Sequence, residues 1–126
     1  MTAKPSCVLD ASAVIAMIFA EDGHEAVAEA VLAGRAAIST ANWAEVAQKT
    51  RQKGEDWSAA RGFLEAQLSV EPVTLQDAEA AAVYWGDHKF LSLGDRICLA
   101  LADRLALPAL TADSAWDGIG RARLVR

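Results

Sequence analysis

The sequence predicts an α/β protein, a three-layer α/β/α sandwich around a central, mainly parallel sheet of four to five strands. Three observations predict it. Short apolar runs at 6–9, 36–38, 70–73 and 108–111 alternate with longer segments of helical periodicity. Strands alternating with helices lead to a parallel sheet covered on both faces. Apolar residues make up 53% of the 126 residues, enough for a core on each side of a sheet. No repeat, linker or low-complexity stretch divides the chain, so one domain over 1–126 is expected at this length.

Each element has its own warrant. The first strand rises out of Lys4-Pro5-Ser6 and ends at Asp10. A helix follows through Val14-Ile15-Ala16-Met17-Ile18-Phe19-Ala20, and Glu21-Asp22-Gly23 breaks it. Residues 24–32 carry apolar side chains at 27, 28, 31 and 32, a helical spacing that Gly34 closes. Residues 36–38 form the second strand. Ser39 or Thr40 then caps a helix that reaches about residue 53 and stops at Gly54. Residues 57–68 are helical, with Phe63, Leu64 and Leu68 on one side. The third strand, 70–73, contains Pro72, which makes it short or places it at an edge. Residues 75–88 form an alanine-rich helix. Residues 92–105 form the strongest amphipathic helix, with Ile97, Leu101 and Leu105 four apart. The fourth strand is 108–111, a loop or short helical turn covers 113–120, and 123–125 is a candidate last strand.

The totals narrow the function. A net charge of −5 argues against a broad basic surface for nucleic acid, which needs many phosphate contacts. It leaves open a nucleic-acid substrate held at a small, metal-loaded site. Cys7 and Cys98 have no ligand spacing and make no disulfide framework, so both read as buried thiols in a reducing cytosol. Lys4 before an apolar stretch imitates a signal peptide. Asp10 interrupts that stretch, and the remainder is shorter than the roughly 20 residues a membrane span requires. The expectation is a cytoplasmic protein with no membrane segment.

Of 17 acidic residues, four fall at element ends in apolar context. Asp10 ends the first strand. Glu45 lies one turn into the helix after the second. Asp95 opens the strong helix, and Asp113 follows the fourth strand. In a parallel sheet these places share one rim, where open α/β folds bind ligands. Each acid also has a plainer use. Asp10 could cap the next helix, and Glu45 could pair with Lys49. Ser92 and Asp95 fit a capping box, and Asp113 could turn with Ser114. Their joint placement favours a shared site, because packed carboxylates raise one another's pKa unless a cation neutralises them. Carboxylate oxygens without histidine or cysteine suit Mg²⁺ or Mn²⁺ rather than Zn²⁺.

Four segments in order carry a resemblance. Val8-Leu9-Asp10-Ala11-Ser12, the Glu45 helix, Leu93-Gly94-Asp95-Arg96-Ile97-Cys98-Leu99-Ala100 and Leu110-Thr111-Ala112-Asp113-Ser114-Ala115-Trp116 together resemble the PIN-domain family. Within it they are most similar to the small VapC-type toxins of type II toxin–antitoxin pairs. The resemblance implies a Mg²⁺- or Mn²⁺-dependent endoribonuclease with Asp10, Glu45, Asp95 and Asp113 as its acidic quartet. Asp10, Asp95 and Asp113 would hold metal, and Asp117 is a possible fifth carboxylate. Metal-activated water would attack an RNA phosphodiester in line, leaving a 5′-phosphate and a 3′-hydroxyl. Ser12 fills the hydroxyl position beside the first acid. Lys49 and Arg96 are candidate phosphate contacts, with Arg51 and Lys53 beside them and a basic tail at Arg121, Arg123 and Arg126. The resemblance further implies a homodimer and a cognate VapB-type antitoxin, to which residues 11–34 and 57–68 of this chain would offer an apolar groove.

Other readings stay in view. A haloacid-dehalogenase-type phosphatase needs a second acid where Ser12 stands. A response-regulator receiver pairs acids before its first helix and carries a late lysine, and neither is evident. There is no P-loop, and Gly118-Ile119-Gly120 lacks the setting of a dinucleotide fingerprint. A non-toxin PIN nuclease in RNA processing and a non-catalytic acidic binding module remain alternatives. His24 and His88 read as surface residues, and the four tryptophans as core or interface material.

Overall fold

A computed structural model describes residues 4–126. In chain order the elements are β1 (Pro5–Leu9), α1 (Ala11–Phe19), α2 (His24–Ala33), β2 (Arg35–Ser39), α3 (Thr40–Gln52), α4 (Trp57–Gln67), β3 (Leu68–Glu71), α5 (Leu75–Asp87), α6 (Leu93–Leu105), β4 (Ala109–Thr111) and β5 (Ala122–Leu124). A 3₁₀ turn at Ser114–Trp116 separates the last two strands. The five strands form one sheet in the order β3-β2-β1-β4-β5, and every neighbouring pair is parallel.

Strand side chains alternate between faces, and the core divides accordingly. Cys7, Leu9, Ala36, Ile38 and Leu110 pack with Val14 of α1, Val27 of α2, Val46 of α3 and Leu64 of α4. Val8, Ala37 and Ala109, one residue out of step, pack with Cys98, Leu99 and Leu101 of α6 and with Trp116. The sheet is therefore the middle of three layers, as expected. Strands buried on both faces read as continuous apolar runs, which is why the first two were plain in the sequence.

Some boundaries differ from expectation for local reasons. Leu64 and Leu68 look like one helical face, and both are buried in the same cluster. Leu68 reaches that cluster as the first residue of β3, with extended backbone (φ −116°, ψ 150°) and Ala36 as its ladder partner. β3 therefore spans Leu68–Glu71 instead of 70–73, and Pro72, with no N–H to donate, follows its end. It is an edge strand, as Pro72 required. Gly34 ends α2 with extended backbone (φ −174°), so it is no left-handed terminator. Its smallness matters instead, since a Cβ there would come within 2.8 Å of Ser6 Oγ. The last strand runs Ala122–Leu124, one residue earlier than expected, and Val125 N still donates to Thr111 O. Among the described residues no helix is long and apolar enough to cross a membrane.

The sheet order fixes where a site can form. From β1 the chain builds outward through β2 to β3, then returns to lay β4 on the other side of β1. The connections diverge between β1 and β4, and the crevice outside the carboxyl ends of strands at such a switch point is the ligand position of open α/β sheets. Asp10 follows β1 there, and Thr111 ends β4.

Candidate functional site

Asp10 is 2% exposed and bonded on every side. Its Oδ1 accepts from Ala13 N at 2.7 Å, capping α1, and Ser12 Oγ lies 2.8 Å from both carboxylate oxygens. Thr111 Oγ1 donates to Oδ2 at 2.6 Å. The same two hydroxyls accept backbone amides from the loop after β4, Ala112 N on Ser12 and Asp113 N on Thr111, each at 3.0 Å. Two hydroxyls thus clamp the ends of β1 and β4 around one carboxylate. Burial pushes Asp10 up to about 6 from an ordinary 3.8, against the lowering effect of those hydrogen bonds.

Glu45 enters from α3 and meets the first turn of α6. Asn42 Nδ2 donates to Glu45 Oε1 at 2.7 Å and to Gly94 O at 3.2 Å. Asp95 sits beside this contact in a capping box, where its Oδ2 accepts Ser92 N and its N–H donates to Ser92 Oγ. Asp113, at the rim of the 3₁₀ turn, accepts Ala115 N at 2.9 Å. Burial raises Glu45 and Asp95 above the ordinary carboxylate range. The charge of Asp95 adds to the rise at Glu45, and that of Asp113 adds to the rise at Asp95. The thiol of Cys98, wholly buried behind the acids, is pushed up by desolvation and by three of them.

All four acids line one cavity of about 520 Å³. Ser12 and Lys49 line it too, along with residues not singled out as its members, Glu21 and Ala112. Lys53 and Arg126 bring further positive charge to the same cavity. Lys53 also lies 3.8 Å from Glu21 and over the ring of Phe19. Glu45 makes no ion pair with Lys49 among the described residues, although that lysine's charge lowers its pKa. The plainer uses of Asp10, Asp95 and Asp113 are all present as helix or turn caps. They coexist with the cavity because a carboxylate has about four lone-pair positions and a cap occupies one or two.

Two expected members stand elsewhere. Arg96 does not line the cavity: its Nη1 donates to Ala81 O at 2.9 Å and its Nε to Leu91 O at 3.4 Å, tying α6 to α5 and the loop between them. Asp117 is exposed beyond the 3₁₀ turn and does not line the cavity either. Of the histidines, His24 lies 3.9 Å from Glu25 and His88 packs against Tyr84 and Phe90, away from the acids. Two contributors escaped the sequence. Thr111 and Asn42 are fully buried polar residues inside elements whose periodicity is set by apolar neighbours. Their signal was slight, a hydroxyl two residues before Asp113 and an amide three before Glu45.

Crowded, desolvated carboxylates favour binding of protons or a cation. Among the described residues no three acidic, cysteine or histidine side chains stand close enough to cage one ion. The donor set fits Mg²⁺ or Mn²⁺ even so. Mg²⁺ keeps several waters and is held through one or two carboxylates plus substrate phosphates, where Zn²⁺ would want histidine or thiolate.

The sequence model for the PIN domain matches residues 7–122. Among curated proteins none matches the chain in sequence. Among solved structures it is similar to a toxin–antitoxin complex from Klebsiella pneumoniae, with a TM-score of 0.79 and 22% identity over 96% of this chain and 98% of that one. It is similar to VapC20 of Mycobacterium tuberculosis, a sarcin–ricin loop cleaving toxin, at a TM-score of 0.74 and 17% identity, covering 92% of this chain and 96% of that one. A third likeness is to VapBC2 from Rickettsia felis, bound to a fragment of its promoter DNA. There the TM-score is 0.73 and the identity 13%, with coverage of 94% and 96%. At these identities the likeness is one of fold.

Proposed function

The chain belongs to the PIN-domain family, and from that premise we propose that it is a divalent-metal-dependent endoribonuclease and the toxin of a toxin–antitoxin pair. One observation carries the reading. Four carboxylates from four separate elements converge on a single cavity at the switch point of the sheet.

Asp10, Asp95 and Asp113 hold Mg²⁺ or Mn²⁺ in this reading. When bound, the metal supplies a water of lowered pKa and offsets negative charge at the attacked phosphorus. The chain's own residues do the rest. Ser12 and Thr111 fix the orientation of Asp10. Glu45, which lines the cavity, orients the attacking water and accepts its proton. Lys49 on α3 and Lys53, the residue that caps its C-terminus, bind the phosphates on either side of the cut. They supply locally the positive charge that a chain of net charge −5 lacks as a whole.

A VapB-type antitoxin is the partner in the same reading. The groove between α1, α3 and α4 offers a seat, apolar at Ile18, Phe19, Ala59 and Ala60 and bordered by Thr50, Glu55 and Asp56. A homodimer is part of it too, supported by the exposed Val83, Trp85 and Phe90 on and after α5. The test is cleavage of cellular RNA by the parent, Asp10→Asn and Asp95→Asn, with Mg²⁺, with Mn²⁺ and with chelator. Metal-dependent products ending in 5′-phosphate, formed by the parent alone, are expected. A folded parent that cuts nothing, or variants that cut as well as it does, would overturn the assignment.

A further inference from the structure

Two residues outside the acidic set act on Glu45. Gly94 is the second residue of α6, and its backbone does not adopt a positive φ. Glycine is a poor helix former, so its presence there needs a reason other than conformation. The reason is space. A Cβ on Gly94 would overlap Glu45 Oε1 and come within 2.8 Å of Glu45 Cδ. Asn42, which bridges Glu45 and Gly94, has no exposed surface and uses its whole amide. Nδ2 donates to Glu45 Oε1 at 2.7 Å and to Gly94 O at 3.2 Å, while Oδ1 accepts from Ser39 Oγ at 2.7 Å. Ser39 in turn caps α3 through Asn42 N. Glu45 Oε1 is thereby pressed against α6 and held by a buried amide. No hydrogen bond from the described residues reaches Oε2, which also lies close to Gly94, 3.2 Å from where a Cβ would stand.

We propose that Gly94 and Asn42 are positioning residues for Glu45. The missing side chain at 94 opens the place for one carboxylate oxygen, and the Asn42 amide holds it there. The amide also locks α3 to the first turn of α6, so Glu45 and Asp95 keep a fixed relation. The role of Glu45 rests on the nuclease reading. The positioning does not.

Gly94→Ala separates position from stability. Alanine favours the helix, and the atom it meets is the far end of a flexible side chain, so the fold yields by moving Glu45. The expected result is a Tm at or above the parent's and kcat for RNA cleavage lower by about a hundredfold, the scale of a displacement of about 1 Å. KM stays close to the parent's. Gly86→Ala, the same change on α5 with nothing within 4 Å of the added carbon, keeps parental activity. Asn42→Ala lowers kcat like Gly94→Ala, and neither change lowers it further in a Glu45→Gln background. A crystal structure of Gly94→Ala shows Glu45 Oε1 released from Asn42. The proposal is overturned if that hydrogen bond survives, or if Gly94→Ala turns over like the parent. If the parent cuts no RNA, the nuclease reading falls and the crystallographic result alone decides the positioning.

Discussion

The cavity holds its carboxylates in two different ways. At the β1–β4 corner, Asp10 is surrounded by donors: Ala13 N, the Ser12 hydroxyl and the Thr111 hydroxyl all reach it. At the α3–α6 corner, Glu45 has one amide donor and a glycine that leaves it room. The first corner is built by bonding and belongs to the sheet. The second is built by space and depends on how two helices meet. A densely bonded, buried carboxylate tolerates little movement, whereas one held by a gap follows the helices. The Asp10 corner is therefore the fixed reference, and Glu45 is placed relative to it.

The largest effect expected from breaking this contrast is at Asp10. Asp10→Asn can still accept Ala13 N, so the fold survives while the proposed metal site loses a carboxylate charge. Cleavage should fall at least about a thousandfold, the equivalent of several kcal/mol of charge stabilisation. The same variant reads out the pKa. Asp10 titrates near 6 when folded against an ordinary 3.8, so the folded state takes up this proton first as pH falls. The metal-free parent should then gain stability between about pH 6 and pH 4, with no contribution to the slope above or below that window. The gain is on the order of 3 kcal/mol. Thermal melts should show this trend more strongly in the parent than in Asp10→Asn, where the raised Glu45 and Asp95 still contribute in the same direction. Asp77 has the opposite sign. Burial raises it, but its hydrogen bonds with Arg104 and Thr74 outweigh burial and leave it lowered, so it costs stability only as pH falls below the ordinary carboxylate range.

A middle-sized effect should come from Thr111→Val, which keeps the shape and removes the hydroxyl. Asp10 Oδ2 loses its 2.6 Å donor and Asp113 N loses its acceptor. Loss of such a supporting partner typically costs tenfold to a hundredfold in metal affinity or activity. Mn²⁺ titration followed by electron paramagnetic resonance should show that weakening. Parental affinity would mean the bonded corner is no more fixed than the other. The smallest effect belongs to Asp117→Asn, expected to change cleavage by less than about twofold, because that side chain stands off the cavity. A larger loss would add a fifth carboxylate to the site and blur the contrast.

The layers, the parallel sheet and the four acids were legible because each depends on local sequence. Apolar runs mark buried strands, and an acid directly after such a run lies at a strand's carboxyl end. What was not legible depends on contacts between distant residues. Thr111 bonds a carboxylate 101 positions earlier, and Asn42 bonds a carbonyl 52 positions later. Nothing in Leu110-Thr111-Ala112 or Ala41-Asn42-Trp43 announces those partners. Arg96 failed in the reverse direction. Adjacency to Asp95 suggested the cavity, but consecutive helical residues point about 100° apart, and its guanidinium went to α5. β3 was misplaced because Leu68 satisfies the helix period and the strand ladder equally well.

The clamp between β1 and β4 also has a consequence in time. Chains are made from the N-terminus at roughly 5–20 residues per second, and contacts between distant segments close late. While a ribosome is still adding residues before Thr111, Asp10, Glu45 and Asp95 already exist, but Asp10 lacks the hydroxyl that joins it to the neighbouring strand. The last of the four cavity acids, Asp113, follows two residues behind that hydroxyl. A nascent chain of that length therefore carries three of the four cavity acids without the contact that fixes Asp10. Under the proposed nuclease reading, the order of synthesis leaves the acidic cavity unassembled until Thr111 and Asp113 have been added.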